Sequence, residues 1–239
     1  MSNLWPLKDG LSTLSIAGRS CLEWVERGSL KQSQIDALRY PWQFLELHAE
    51  LLEQAYLEQA DRGGKSFEEG CVSPGAPFLG EGARLLVGEG TTVLPGVYVE
   101  GLVVVGEGCK IGPNCYLRGS ISIGDHCHVG QAVELKNVIL GNGTNVGHLS
   151  YIGDSVLGNK VNLGAGTITS NLRHDGKNHH SMVEGERVDT GRRKFGTIIG
   201  DSVHTGIHTS LYPGRKLGVG SMTRPGGIVN VDLADGEIK

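Results

Sequence analysis

Arg118, Glu134, Lys136, His148 and Tyr151 are side chains of the kinds that hold phosphates, take up protons and orient a polar substrate. The step in sequence from Arg118 to Lys136 nearly equals the step from Glu134 to Tyr151, the second being shorter by one residue. If one turn of the structure takes a step of that length, the two cations stack on adjacent turns, and so do the carboxylate and the phenol. Two cations at an inter-strand spacing of roughly 5 Å repel each other where water is partly excluded. A phosphate between them would relieve that repulsion, and the Arg guanidinium suits its oxygens. The alternative is two long side chains splayed into water. His148, near a carboxylate and a cation pair, is a candidate general base. Glu134 would either fix its tautomer or hold a substrate amine.

The turn these spacings require is written in the apolar residues. Aliphatic side chains recur at every sixth position: Val87, Val93, Val99, Val105, Ile111, Leu117, Ile123, Val129 and Leu135. The phase slips by one and resumes at Leu140, Val146 and Ile152, then slips again to give Leu157, Leu163 and Thr169. It returns at Ile199, Thr205, Leu211 and Leu217. A second column of small or β-branched residues follows four positions behind, with Cys109, Cys115 and Cys127 among its members. Gly usually follows the aliphatic site and eases a corner. One short strand plus one corner per hexapeptide, three hexapeptides to a coil, predicts a parallel β-helix. An amphipathic helix needs a different period, and an antiparallel barrel needs turn signals every 8–12 residues. Arg118 and Lys136 stand out because each occupies a site the repeat gives to Gly.

The non-repetitive parts set the expected organisation: a helical N-terminal arm over 1–65, then a β-helix domain over 66–239 with a loop insertion at 170–196. Pro41-Trp42 opens a run at helical spacing, with Phe44, Leu45, Leu51, Leu52, Ala55 and Tyr56, that predicts a helix near 41–61. Gly63-Gly64 supplies a stop signal, and a shorter helix is expected around Ser33–Leu38. The arm is read as a packing or oligomer contact. The insertion carries six Lys or Arg residues in a chain of net charge −4. Insertions in a solenoid project outward, often on the binding face. This one is either a solvated loop or a cover for an anionic ligand. The charge gives no general field for nucleic acid. No apolar run is long enough to span a membrane, and no signal peptide is recognisable, so a cytoplasmic protein is expected. Five cysteines without paired spacing argue against a disulfide framework or zinc cluster.

Three runs carry a more specific signal: V-E-L-K-N, then G-H-L-S-Y-I-G-D, then V-N-L-G-A-G-T-I-T-S-N. With G-R-R-K-F-G and T-G-I-H-T-S-L-Y-P-G-R-K, they resemble the acetyltransferase half of bifunctional glucosamine-1-phosphate acetyltransferase/N-acetylglucosamine-1-phosphate uridyltransferases. The likeness is greatest to the archaeal-type sugar-1-phosphate nucleotidylyltransferases. R-Y-P-W-Q-F-L-E resembles their linker helix. No nucleotidyltransferase domain is recognisable, so uridylyl transfer is not expected, and a separate nucleotidyltransferase becomes a candidate partner. The resemblance implies a mainly β fold, a left-handed parallel β-helix, and a homotrimer with sites between subunits. It also implies acetyl-CoA as co-substrate, no metal, and an amino-sugar phosphate as acceptor. It makes His148 the general base and Glu134 the carboxylate beside the amine. Arg118, Lys136, Tyr151 and Asn162 become sugar-phosphate contacts. Asn171 stands near the acetyl group, Ala165 and Leu172 on the acetyl-CoA side, and Lys177 and Lys194 become loop lysines reaching the site. Leu172 and Ile207 depart from the bacterial bifunctional pattern and agree with the archaeal type.

Direct transfer follows as the expected mechanism. His148 takes a proton as the amine attacks the thioester, the two cations fix the phosphate, and a backbone N–H near Asn171 meets the oxyanion. Two other readings stand beside it. One is a zinc enzyme of the γ-carbonic-anhydrase type, also a β-helix, using His126, His128 and His148. The other is a non-catalytic scaffold or regulatory subunit.

Overall fold

The computed structural model describes residues 4–7, 9–17, 19–60, 65–68 and 77–239. Cys71 and the Gly63-Gly64 stop lie outside the described residues. The chain is mainly β: a parallel β-helix, a helical N-terminal segment and one inserted hairpin. Hydrogen-bonded registers stack one coil on the next. The early ones span three full hexapeptides (Val99↔Leu117, Ile111↔Val129), and the later ones are one residue shorter (Leu135↔Ile152, Val146↔Leu163). The aliphatic column of the repeat fills the interior, and Val99, Leu117, Leu135 and Ile152 are all fully buried. The three repeat cysteines are buried free thiols, as small side chains in that interior should be.

The coil has three sides. One is a sheet of two- to four-residue strands that includes His128–Gln131, Asn145–His148 and Asn162–Leu163. The other two are carried by long strands that bend round a shared corner: Tyr98–Val105, Tyr116–Ile123, Glu134–Leu140 and Tyr151–Leu157. Both phase slips fall at that corner. Arg118 still pairs with Lys136 in the full register, but Ile121 pairs with Val138 in the shortened one. Asn137, with φ of +50°, turns the corner in place of Gly119-Ser120, and Asp154, with φ of +49°, repeats the turn one coil later. Gly119 has no freedom to be anything larger, because a Cβ there would lie 2.1 Å from Asn137 Oδ1.

The third side is apolar on both faces. Val103, Ile121, Val138 and Leu157 point into the solenoid, while Leu86, Val104, Ile139, Val156 and Ile198 form an outward column in a second core. The N-terminal segment covers that column. It folds as four short helical elements, Gly10–Thr13, Cys21–Glu26, Gln32–Asp36 and Pro41–Gln43, followed by the long helix Phe44–Ala60. Trp24, Trp42, Phe44, Leu51 and Leu52 are buried in the same core. Ser20 caps the second of these elements in a reciprocal capping box with Glu23. What the sequence suggests as an arm is therefore a layer, and it meets the sheet through polar contacts as well: the Ala17 N–H donates to Ser122 Oγ at 2.6 Å. No helix of the described residues is long and apolar enough to cross a membrane.

Two outcomes test this layer. Ile139→Ala should lower unfolding free energy by about 2–5 kcal/mol, read by urea denaturation. A cost near zero would mean the helices do not bury that face. His48, on the long helix, is 2% exposed, its Nε2 has no hydrogen-bond partner among the described residues, and burial pushes its pKa down to about 3. The folded state holds it neutral while the unfolded state protonates it near the ordinary 6.5. Stability should therefore be lost as pH falls from about 6.5 toward about 3, by up to about 1.4 kcal/mol per pH unit. Denaturation midpoints of His48→Leu should show a shallower acid loss than those of the parent.

Candidate active site

Two parallel columns of side chains run down the outer surface beside the shortened corner. In the first, Tyr98, Tyr116, Glu134, Tyr151 and Ile168 are register partners on successive coils. In the second, Glu100, Arg118, Lys136 and Gly153 follow one another in the same way. Lys136 thus lies one coil beyond Arg118, as the spacing requires, but the two cations do not face each other unpaired. Arg118 Nε and Nη2 both donate to Glu134 Oε1, at 2.7 and 2.5 Å. Lys136 Nζ donates to both oxygens of Asp154, at 3.0 and 2.9 Å. The repulsion argument for a bound phosphate therefore does not hold, since each cation carries its own carboxylate. Glu134 is committed to Arg118 and does not orient His148.

Asp154 is the feature that sequence reasoning missed. It is 2% exposed and sits at the shortened corner between two polar residues of neighbouring coils. Asn137 Nδ2 donates to its Oδ1 at 3.0 Å from one coil, and Asn171 Nδ2 donates to its Oδ2 at 2.6 Å from the next. A buried carboxylate needs such partners. Asn171 Nδ2 also donates to the Tyr151 hydroxyl at 2.9 Å. Burial first, and the Asp154 carboxylate second, raise the Tyr151 pKa, so the phenol stays protonated and can itself donate. Gly153 makes room for this contact: a Cβ there would lie 2.4 Å from the Tyr151 hydroxyl and 2.8 Å from Asn171 Nδ2. The signal is present in the sequence, because Asn137, Asp154 and Asn171 recur at the length of one shortened coil and two of them mark the phase slips.

Asn171 is also where the coil opens into the insertion. Its carbonyl accepts the Phe195 N–H at 3.0 Å and lies 3.1 Å from His179 Nε2, tying both legs of the insertion to one residue. Between them His180–Val183 and Glu186–Asp189 form an antiparallel hairpin. Phe195 packs edge-on to Trp42 at 6.0 Å, so the N-terminal layer braces the insertion. A cleft of about 590 Å³ opens beside Asn171, lined by Ser170, Leu172, Arg173, His174, Tyr212 and Pro213 among others.

The remaining residues singled out in the sequence lie around this ridge rather than in it. His148 is exposed on the neighbouring side of the coil, in register with Gln131 and three positions before Tyr151. Its carbonyl accepts the Gly166 N–H, which sets Ala165 one coil beyond it. Asn162 is exposed on the same sheet, between Asn145 and His204. Leu172 is exposed and bridges to Lys194. Lys177 and Lys194 are exposed on the insertion, and among the described residues neither side chain pairs with a residue of the ridge. Among the described residues, no three His, Cys, Asp or Glu side chains converge as a metal set would. His126 turns a different corner, with φ of +57°.

A family model described as the GMPPB C-terminal domain matches residues 93–212. A bifunctional sugar-1-phosphate nucleotidylyltransferase/acetyltransferase from Sulfurisphaera tokodaii is 39% identical over 106 residues, 44% of this chain and 26% of that protein. The bifunctional protein GlmU of Methanococcus vannielii is 39% identical over 100 residues, 42% of this chain and 24% of that protein. The chain thus matches about a quarter of the length of these relatives. Among solved structures, UDP-N-acetylglucosamine acyltransferase from Campylobacter jejuni aligns with 18% identity and a TM-score of 0.41, over 67% of this chain and 68% of that one.

Removing the corner carboxylate should be costly. Asp154→Ala leaves the Lys136 ammonium buried and unpaired and strands two amide donors, so a loss of about 3–5 kcal/mol is expected in chemical denaturation. A loss below about 1 kcal/mol, the level of an exposed pair, would mean that Asp154 does not organise the cluster.

Proposed function

The chain belongs to the GMPPB C-terminal domain family, and from that premise we propose that it is an acetyl-CoA-dependent N-acetyltransferase acting on an amino-sugar phosphate, glucosamine-1-phosphate or galactosamine-1-phosphate first among the acceptors. The observation that carries this reading is the ordered ridge of Arg118, Glu134, Lys136, Asp154, Tyr151 and Asn171, with a cleft lined by Ser170 and Leu172, the chain neighbours of its last member. Fixed donors beside an open cleft hold a polar substrate in one orientation, which lowers the barrier to attack.

In the proposed step the amine nitrogen attacks the thioester carbonyl, a C–N bond forms, and the C–S bond breaks. His148, exposed beside the ridge, takes the proton from the attacking nitrogen, and the thiol leaves with a proton. Tyr151 and Asn171 bind sugar hydroxyls or the reacting carbonyl. Arg118 turns from Glu134 to the phosphate, and Glu134 is then free to hold the ammonium before it loses its proton. The strip of Ala165 and Ile207, on the His148 side of the corner, suits the apolar arm of the co-substrate. The Lys177 and Lys194 side chains, which leave the insertion without partners on the ridge, suit a site completed by a second copy in a trimer.

One observation favours a second reading. Both ridge cations are already neutralised within the chain, as a scaffold or regulatory subunit would allow. The two readings separate in one assay. The parent protein should release free thiol from acetyl-CoA with at least one member of a panel of glucosamine-1-phosphate, galactosamine-1-phosphate and a nucleotide-linked amino sugar. His148→Ala should lower that rate by roughly 10²–10⁴-fold. Full activity in His148→Ala would remove the assigned base. No acetyl-CoA binding by calorimetry would leave the scaffold reading.

A further inference from the structure

Past the ridge, the inserted hairpin closes a second cavity, of about 340 Å³, against the last coils. Arg173, Arg187 and Arg215 line it with His180, Tyr212 and Asn230, and among the described residues no Asp or Glu lines it. The three arginines come from three separate segments: the entry to the insertion, the hairpin strand Glu186–Asp189, and the coil strand Arg215–Leu217. In a chain of net charge −4, their convergence on one wall is a local reversal of sign.

The three arginines differ in how far their donors are already committed. Arg187 is exposed, and its side chain has no hydrogen bond or ion pair among the described residues. Arg215 is held by three long contacts: Nε donates to the Pro213 carbonyl at 3.5 Å, Nη2 donates to the His180 carbonyl at 3.4 Å, and Nη1 lies 3.8 Å from Asp232, whose other oxygen faces Lys216 Nζ at 3.7 Å. Arg173 is forked onto Asp175, which lines the neighbouring cleft. His180 Nδ1 is buried and has no hydrogen-bond partner among the described residues. Asn230 Oδ1 accepts from Lys239 Nζ at 2.8 Å, so the amide nitrogen is the group left to face a ligand. Tyr212, 51% exposed, forms a wall common to both cavities.

We propose that this cavity binds the diphosphate of a nucleotide, with Arg187 and Arg215 on the phosphate oxygens and the Tyr212 ring against the base. A diphosphate matches a wall rich in guanidinium donors whose carboxylates, Asp175 and Asp232, stand behind the described lining residues rather than among them, and an exposed ring beside the donors gives the base a stacking face. Tyr212 follows Leu211, the register partner of Thr169. It therefore lies about two inter-strand steps, roughly 10 Å, beyond the Gly153 corner of the ridge. That separation suits a ligand whose sugar sits at the ridge and whose nucleotide extends along the insertion. The diphosphate has two possible sources, a nucleotide-linked acceptor or coenzyme A. The link to the ridge rests on the acetyl-transfer reading, while binding itself needs no turnover.

Isothermal titration of the full chain with UDP and with coenzyme A tests the site, using the parent, Arg187→Glu and Arg215→Ala, with melting temperatures as a control for folding. The parent should bind at least one of the two, and Arg187→Glu should weaken that binding by about tenfold or more, the usual loss for a hydrogen bond to a charged group. A loss confined to UDP assigns the cavity to the acceptor, and a loss confined to coenzyme A assigns it to the co-substrate. Affinities unchanged in both variants, or a parent that binds neither probe, would overturn the proposal. A parent that shows the loss yet releases no thiol with any acceptor would sink the acetyl-transfer reading and leave this site standing.

Discussion

One residue fewer at one corner is the constraint from which the candidate site follows. Parallel coils must stack at the inter-strand spacing, so a shortened coil has to turn a corner where its neighbour used one residue more. Asn137 and Asp154 make that turn in the left-handed backbone region, which Asn and Asp tolerate better than bulky residues. Stacking then brings three polar side chains, Asn137, Asp154 and Asn171, onto one edge. The middle one is a buried carboxylate, and its oxygens collect two amides and the Lys136 ammonium. Tyr151 is fixed through Asn171, and Arg118 through Glu134 on the coil beside it.

The second dependence runs through the N-terminal layer. An isolated β-helix side of this kind would present an apolar stripe to water, and exposed stripes of that size lead to association. The helices remove the stripe and go further, because Trp42 reaches Phe195 at the exit of the insertion. The same core that protects the sheet therefore also holds Phe195, at the exit of the insertion. Phe195 and His179 meet at Asn171, so the brace ends at the ridge itself. Core packing and cleft shape are two ends of one chain of contacts.

The sequence reveals the period, the coil, and the registers Arg118–Lys136 and Glu134–Tyr151, because interior burial leaves a strict hexapeptide signature. It reveals the long helix by its apolar spacing and its Pro start. It hides the ion pairs, since a repeat shows which residues stack but not which way a long side chain turns. Lys136 turns along the column to the shortened corner, while Arg118 turns across to the Glu134 column. The covered third side leaves its own mark. A side wetted on one face alternates apolar with polar, whereas Leu85-Leu86-Val87, Val103-Val104-Val105 and Val138-Ile139-Leu140 are continuous apolar runs, as a strand buried on both faces requires. The short helices Gly10–Thr13 and Cys21–Glu26 lack enough turns to show a period at all.

The two ion pairs of the ridge are not equivalent, and the difference limits what the ridge can bind. Arg118 and Glu134 are each about a third exposed, and pairs in that setting contribute little, about 0–1 kcal/mol. An incoming phosphate can displace Glu134 at small cost and gain a bidentate partner. Lys136 and Asp154 are 15% and 3% exposed. Separating them would leave a buried charge without compensation, at a cost of about 3–5 kcal/mol. Lys136 therefore stays on Asp154 when a ligand arrives and contributes through the field of a nearly neutral pair. On this ridge the exchangeable cation is Arg118, and Lys177, Lys194 and Arg187 all lie on the insertion. An anionic ligand is thus drawn toward the hairpin, and its uncharged portion is left to the ordered donors of Tyr151 and Asn171.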